Sequence, residues 1–160
     1  MFYYSTFQSK LGRIFYAHDS RNVVAVDIQG RVPQALRMSK NIILSKKGML
    51  SFERELRSYL RGDLKKFRTK IKPFNIKGFS KKVLDALLLI PYGETASYGT
   101  IARRIKNPKA ARAVGNACGR NPCPIIIPCH RVVKGDGKLG GFTGGLRYKK
   151  LLLAIEHKEH

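Results

Sequence analysis

A cysteine and a histidine stand side by side at Cys129 and His130, within the run Ile125-Ile126-Ile127-Pro128-Cys129-His130-Arg131-Val132-Val133. The thiolate is the reactive form of cysteine, and apolar surroundings raise a thiol's pKa and silence it. A cysteine that acts between two β-branched runs therefore needs a base within reach, and the adjacent imidazole is the candidate. The plain structural alternative treats Cys129 as a small buried hydrophobe and His130 as a hydrogen-bonded core histidine. Two further cysteines, Cys118 and Cys123, fall within twelve residues of Cys129, and the odd total leaves at least one free thiol in any disulfide scheme. There is no Cys-x-x-Cys pair, and the adjacent Cys129 and His130 are poorly placed to share one tetrahedral ion, so no metal is expected.

The elements that must position this pair come from hydrophobic periodicity. Residues 2–7, 12–17 and 22–28 read as three strands of a β-meander, with turns at Ser9 to Gly12 and at Asp19 to Asn22, His18 being a turn residue. Phe52, Leu56, Tyr59 and Leu60 mark an amphipathic helix over about 48–61, closed by Gly62, with Arg54, Arg57 and Arg61 off its apolar stripe. A basic segment from Lys65 to Phe74 completes a first domain, residues 1–75, with no catalytic constellation of its own. In the second, residues 76–160, Ser80 is placed to cap a helix carrying Val83, Leu84, Leu87 and Leu88, with Phe79 as staple and Pro91-Tyr92-Gly93 as its stop. Ser97 caps a short helix with Ile101, Ala102 and Ile105, and Asn107-Pro108 reads as the N-cap and first position of another running to about Gly119. Two short helices joined by a tight turn form a helix-turn-helix. The second is lined with small residues, Ala110, Ala111, Ala113, Gly115 and Ala117, which permit close backbone approach to another surface, and Arg112 is its long cation. After the Cys-His segment come a turn at 134–138, a glycine-rich loop Gly140-Gly141-Phe142-Thr143-Gly144-Gly145 that can present backbone N–H groups to a ligand, and a last helix from Leu146 to about Glu156. That loop matches neither a Walker nor a dinucleotide pattern.

Charge narrows the partner. The 160 residues hold 32 Lys+Arg against 10 Asp+Glu, a formal net charge of +22, and division at residue 75 leaves 16 basic and 5 acidic residues on each side. The charge thus belongs to a folded surface and not to a tail, and its natural partner is a polyanion such as nucleic acid. The first residues lack a signal-peptide pattern, and the longest apolar runs are too short to span a bilayer, so the chain is expected to be soluble and intracellular.

Taken together, Asn107-Pro108-Lys109-Ala110-Ala111-Arg112-Ala113-Val114-Gly115, Asn121-Pro122, Pro124-Ile125, Ile127-Pro128-Cys129-His130-Arg131-Val132-Val133 and the Gly140–Gly145 loop closely resemble the O6-alkylguanine-DNA alkyltransferases, suicide DNA-repair proteins. The resemblance runs in one register over roughly residues 80–156. It implies an α/β (α+β) fold: a small N-terminal antiparallel β-sheet plus helix domain, ribonuclease H-like, then a helix-turn-helix, winged-helix-like alkyltransferase domain. It further implies that Cys129 attacks the alkyl carbon on guanine O6, that His130 takes the thiol proton through a water, and that Glu156 holds the imidazole, the logic of a nucleophile–base–orienter triad. Asn121 ties down the adjoining turn, and Tyr98 bonds guanine N3 and lends a proton to the leaving purine. The carbonyls of Cys129 and Val132 read the exocyclic amine, while the Thr143 N–H reaches O6, with Phe142 and Gly144 in the same loop. The base is flipped out of duplex DNA, Arg112 filling the gap from a helix laid in the minor groove. Implied with this are a monomer acting once, no cofactor, no membrane, and a cytoplasmic location, nuclear in a eukaryote. O4-alkylthymine is a candidate second substrate. Phe142 stands where a tyrosine is frequent in the family, and the zinc-binding Cys/His cluster of some relatives is missing from residues 1–75. Cys118 and Cys123 are open between two thiols and a disulfide.

Two rival functions are weighed against this. A non-reacting lesion-binding or regulatory helix-turn-helix protein commonly replaces the acceptor cysteine with tryptophan, whereas this chain keeps Cys129 and has no Trp. A turnover Cys-His hydrolase has no use for Arg112, the helix pair or a charge of +22.

Overall fold

Aromatic and β-branched residues crowd the first 27 positions, and they form three strands: β1 (Phe2–Ser9), β2 (Gly12–His18) and β3 (Val23–Asp27). The computed structural model describes residues 1–32, 36, 42–45 and 47–158. These divide into two units, Met1–Asn75 and Ile76–His160. The meander is antiparallel, with Tyr4 opposite Ala17 and Tyr16 opposite Val26. The sheet is not purely antiparallel, however, because β4 (Ile42–Leu44) adds to the other edge of β1 in parallel, giving the order β3-β2-β1-β4. Three apolar residues are too short a run to announce a strand, so that pairing is visible only in three dimensions.

Alternation along β2 sends side chains to both faces. Phe15 and Ala17 join Val24, Ala25 and Leu36 in one buried cluster, against which Phe2, Tyr4 and Phe74 pack. Tyr16 meets the opposite layer, where Phe52 of α1 (Leu50–Arg61) lies edge-on at 5.1 Å. No side chain of its own caps that helix. The Tyr16 hydroxyl serves instead, accepting from Met49 N and donating to Glu53 Oε1, each at 2.6 Å. α1 ends as expected at Gly62, whose φ of 88° lets the Gly62 and Asp63 N–H groups bond back to Tyr59 O and Ser58 O. The chain then runs along the outer edge of β3, Ile71 bridging to Val23 in parallel.

In the second unit α2 (Gly78–Leu87) buries Val83, Leu84, Ala86 and Leu87. Ser80 lies inside it, not at the cap: the extended Lys77 and left-handed Gly78 already begin the helix. The helix also ends at Leu87, ahead of the expected stop, in turns closed by Leu89 N and Ile90 N onto Ala86 O and Leu87 O. Ser97 does cap α3 (Tyr98–Arg104), its hydroxyl accepting from Thr100 N at 3.0 Å. Asn107-Pro108 does not cap α4 (Ala111–Gly119). The two residues form a preceding turn, closed by Ala110 N on Asn107 O at 3.0 Å, so the helix starts three residues later than the proline suggests. Two short strands, β5 (Ala96–Ser97) and β6 (Val132–Val133), pair in parallel, and α5 (Leu146–Glu156) completes the unit. No helix among the described residues is long and apolar enough to cross a membrane.

His18 is not a turn residue. It closes β2, buried, with its ring between Tyr3 and Tyr16 at 5.6 and 6.0 Å, and its Nδ1 accepts from Ser20 N, while among the described residues Nε2 has no hydrogen-bond partner. Burial holds its pKa below the usual histidine value, only partly offset by Asp19. A depressed histidine pKa means that the unfolded chain takes up a proton the folded chain refuses. Stability is therefore expected to be full above about pH 6.5 and to fall as pH drops below it. Denaturant melts at pH 7.5 and 5.5 check this: His18→Phe, which keeps the ring stack, is expected to lose less than the parent, and equal losses would exclude His18 as a source.

Candidate active site

Cys129–Arg131 form a single 3-10 turn after Pro128, closed by Arg131 N on Pro128 O at 3.0 Å, while Cys129 N bonds Ile127 O at 2.8 Å. The turn sends successive side chains in different directions, so the adjacent thiol and imidazole need not compete for one space. It leads straight into β6, which pairs with β5, and β5 leads straight into α3. That pairing brings Tyr98, the first residue of α3, to the side of the Cys129 turn.

The approach to the turn is strained. Ile125 has φ of 77°, a region β-branched residues avoid at a cost of about 1–3 kcal/mol. Asn121 holds it there: its Nδ2 donates to Ile127 O at 2.8 Å and its Oδ1 accepts from Cys123 N at 3.0 Å. The same amide side chain also favours the anion of Cys129. Asn121 is thus both a clamp on the loop and a partner of the thiol.

His130 is fully buried, and its Nε2 lies 2.8 Å from Glu156 Oε1. Glu156, at the end of α5, is buried as well, though helix-end position alone makes a glutamate a surface residue. Its carboxylate accepts from Arg131 Nε at 2.9 Å, from another guanidinium nitrogen at 2.9 Å and from Gly93 N at 3.1 Å, while Arg131 also donates to Ile90 O at 2.6 Å. A carboxylate accepting at Nε2 fixes the tautomer and leaves Nδ1 as the basic nitrogen. Burial holds the His130 pKa below its usual value, opposed by the Glu156 hydrogen bond and charge.

Cys129 is 6% exposed, and burial pushes its thiol up, opposed by Asn121, by the positive charge of Lys149 and by the backbone N–H groups of Cys129 and His130. Lys149 has no exposed surface. Its Nζ donates to Val132 O at 2.5 Å and Gly141 O at 3.1 Å, and stands 5.9 Å from the Tyr98 ring centroid. One ammonium therefore joins the strand after the Cys-His turn to the glycine loop. The loop is held again where Thr143 Oγ1 donates to Gly119 O at 2.8 Å. Gly140, at φ of 69°, packs so closely on Tyr98 that a Cβ there would sit 2.8 Å from the tyrosine oxygen, so no larger residue fits.

These elements enclose a cleft of about 690 Å³ between α3, α4 and the glycine loop. Tyr98, Ala111, Arg112, Gly115, Phe142 and Thr143 line it, with Cys118, Asn116 and Lys134. Cys129, His130, Asn121, Val132 and Glu156 are not on its walls, nor are Ala113, which is exposed, and Gly144. Cys118, Cys123 and Cys129 are all free and buried in this structure. Among the described residues no group of three or more His, Cys, Asp or Glu is placed to hold a metal ion.

Sequence reasoning missed Arg131 and Lys149. The signal for Lys149 was present, since 149, 152 and 156 fall on one stripe of α5 with Leu152, and a charge on a buried stripe demands a partner.

A family model, 6-O-methylguanine DNA methyltransferase, DNA binding domain, matches residues 78–158. Methylated-DNA–protein-cysteine methyltransferases of Methanosarcina acetivorans and Methanosarcina barkeri are each 41% identical, over 96% of this chain and 97% and 96% of theirs. The crystal structure of Mycobacterium tuberculosis OGT in complex with DNA is similar with a TM-score of 0.89 and 35% sequence identity, covering 97% of this chain and 92% of that one.

Replacing the buried ammonium tests its electrostatic part. Lys149→Met removes a charge that favours the Cys129 anion, so the rate of Cys129 alkylation by iodoacetamide, followed against pH by peptide mass spectrometry, is expected to rise at higher pH than in the parent. An unmoved profile would show that Lys149 acts on the backbone alone.

Proposed function

We propose that in this chain, which belongs to the 6-O-methylguanine DNA methyltransferase family, Cys129 is the acceptor of the transferred group. The activity is DNA repair by direct reversal: an alkyl group, typically methyl, passes from O6-alkylguanine in DNA to a cysteine of the protein itself. What supports Cys129 for this role is one arrangement, the buried His130–Glu156 pair at 2.8 Å in the same turn as a thiol that Asn121 and Lys149 bias toward its anion.

The steps follow from those contacts. A thiol that burial keeps protonated needs its proton removed as the base arrives, and His130 takes it through a water. Glu156 stabilises the imidazolium, and Arg131 holds that carboxylate oriented. The sulfur attacks the alkyl carbon in line, the S–C bond forms, and the C–O6 bond breaks with its electron pair going to the purine. Tyr98, whose pKa burial raises, stays protonated and can donate to the purine at N3 as the negative charge develops. The Thr143 N–H at O6 and the carbonyls of Cys129 and Val132 at the exocyclic amine select guanine. The product is a thioether that water does not readily cleave, so each molecule acts once and needs no cofactor.

The target atom lies inside the duplex, and extruding the base costs a few kcal/mol of stacking. Arg112 on α4, exposed at the mouth of the cleft, fills the vacated space. Ala111, Ala113 and Gly115 keep the helix surface low enough to enter a minor groove, and Phe142 and Gly144 belong to the loop that closes on the base. In this reading the second unit is the winged-helix-like alkyltransferase domain and the first a ribonuclease H-like one. The protein works as a monomer on double-stranded DNA, wherever the host keeps its genome.

Intact and peptide mass spectrometry after mixing with excess duplex containing O6-methylguanine is expected to find one methyl per molecule, on Cys129, and none in Cys129→Ser. DNA binding without any mass change would remove the acceptor role. The pH dependence is a second check. His130 must be neutral to act, and burial lowers its pKa, so the single-turnover rate is expected to hold down to pH values below 6.5 before it falls. Glu156→Gln removes an influence that raises that pKa, so its acid limb is expected at still lower pH and its maximal rate is expected to drop by about 10²-fold or more.

A further inference from the structure

On the segment bordering β3, Lys66, Arg68, Lys70 and Lys72 are exposed, while Phe67, Thr69 and Ile71 between them are half-buried. The alternation has physical causes. Phe67 packs against Tyr59 at 5.3 Å, and the backbone N–H groups of Arg68 and Thr69 are held by the Glu55 carboxylate at 3.1 and 3.0 Å. Ile71 is bridged to Val23, with Val23 N on Lys70 O and Lys72 N on Val23 O, both at 2.9 Å, and Phe74 N bonds Val24 O. Fixed from within, the backbone presents its cations outward. Lys70 and Lys72 flank the bridged Ile71, and two residues of strand advance about 6.6 Å. That is close to twice the 3.4 Å axial rise per nucleotide of one DNA strand.

These four cations do nothing for the fold that the anchors do not already do. Among the described residues none of them is in an ion pair, whereas Arg31 and Arg61 of the same unit pair with Asp27 and Asp63. Of the neighbouring acids, Glu55 is occupied by the backbone N–H groups, and Asp19, within the field of Lys72, is itself bonded to Asn22. Four like charges on one short strip repel one another, a cost that an external polyanion reverses. A lipid surface fits less well, since the residues between the cations turn inward and leave no apolar face to insert.

We propose that this strip of the first unit is a second, sequence-independent phosphate-binding surface for duplex DNA, separate from the helix pair of the second unit. It binds undamaged DNA and does not depend on alkyl transfer.

The test uses the full chain and an unmodified fluorescent duplex. In K66Q/R68Q/K70Q/K72Q the dependence of log K on log salt is expected to become less steep by about 0.9 for each phosphate no longer neutralised, about 3–4 in all, with affinity near 0.1 M salt down at least tenfold. Methyl uptake from a free O6-alkylguanine base and the melting temperature are expected to stay unchanged, which separates this result from misfolding and from any failure of the alkyl-transfer reading. A control with the same charge removed from scattered exposed positions, K10Q/R21Q/K47Q/R54Q, is expected to change the slope by less than half as much. The proposal is overturned by an unchanged slope, by an equal effect in the control, or by loss confined to binding of phosphatidylserine vesicles.

Discussion

A single buried carboxylate organises the second unit. Glu156 accepts from His130, from the Arg131 guanidinium and from the Gly93 backbone, and so ties the end of α5 to the Cys-His-Arg turn and to the loop before β5. Three groups that are individually costly to bury become tolerable only together. Removal of either charged partner leaves the other uncompensated, at a cost of about 3–5 kcal/mol, so the imidazole cannot drift from its place without unravelling packing elsewhere. Functional orientation and local stability are the same set of bonds.

The cleft is shaped largely by backbone. Its loop wall is drawn in by the Lys149 ammonium at Gly141 O and by Thr143 at Gly119 O, and Gly140 is pressed onto Tyr98 where only hydrogen fits. Close approach of main chain to ligand is what a run of glycines permits, and fixed carbonyl and N–H groups then discriminate by hydrogen-bond pattern and not by bulk. The opposite wall, α4, reaches the cleft through Ala111 and Gly115 for the same reason: short side chains let a helix come near.

Much of this was legible in the sequence because it rests on local rules. The Cys129-His130 pair, the Ser97 cap, the Gly62 terminus and the small-residue face of α4 follow from residue type and spacing. What was not legible depends on distant partners. Asn107-Pro108 carries a valid capping signal, yet the tight turn before α4 uses both residues first. β4 is three residues long, and its parallel partner lies some forty positions away. Arg131 looks like a flanking cation until Glu156 is seen beside it, and His18 reads as a turn residue until β2 is found to carry on through it.

The burial of Cys129 also bears on shelf life. A reagent that is consumed in one event is wasted by any stray electrophile or oxidant that reaches its sulfur first, and such attack depends on exposed thiolate. A thiol kept protonated and only 6% exposed reacts slowly with peroxide or small alkylating agents between encounters with DNA. The same desolvation that makes this nucleophile hard to ionise lets an idle molecule stay unspent until a base enters the cleft.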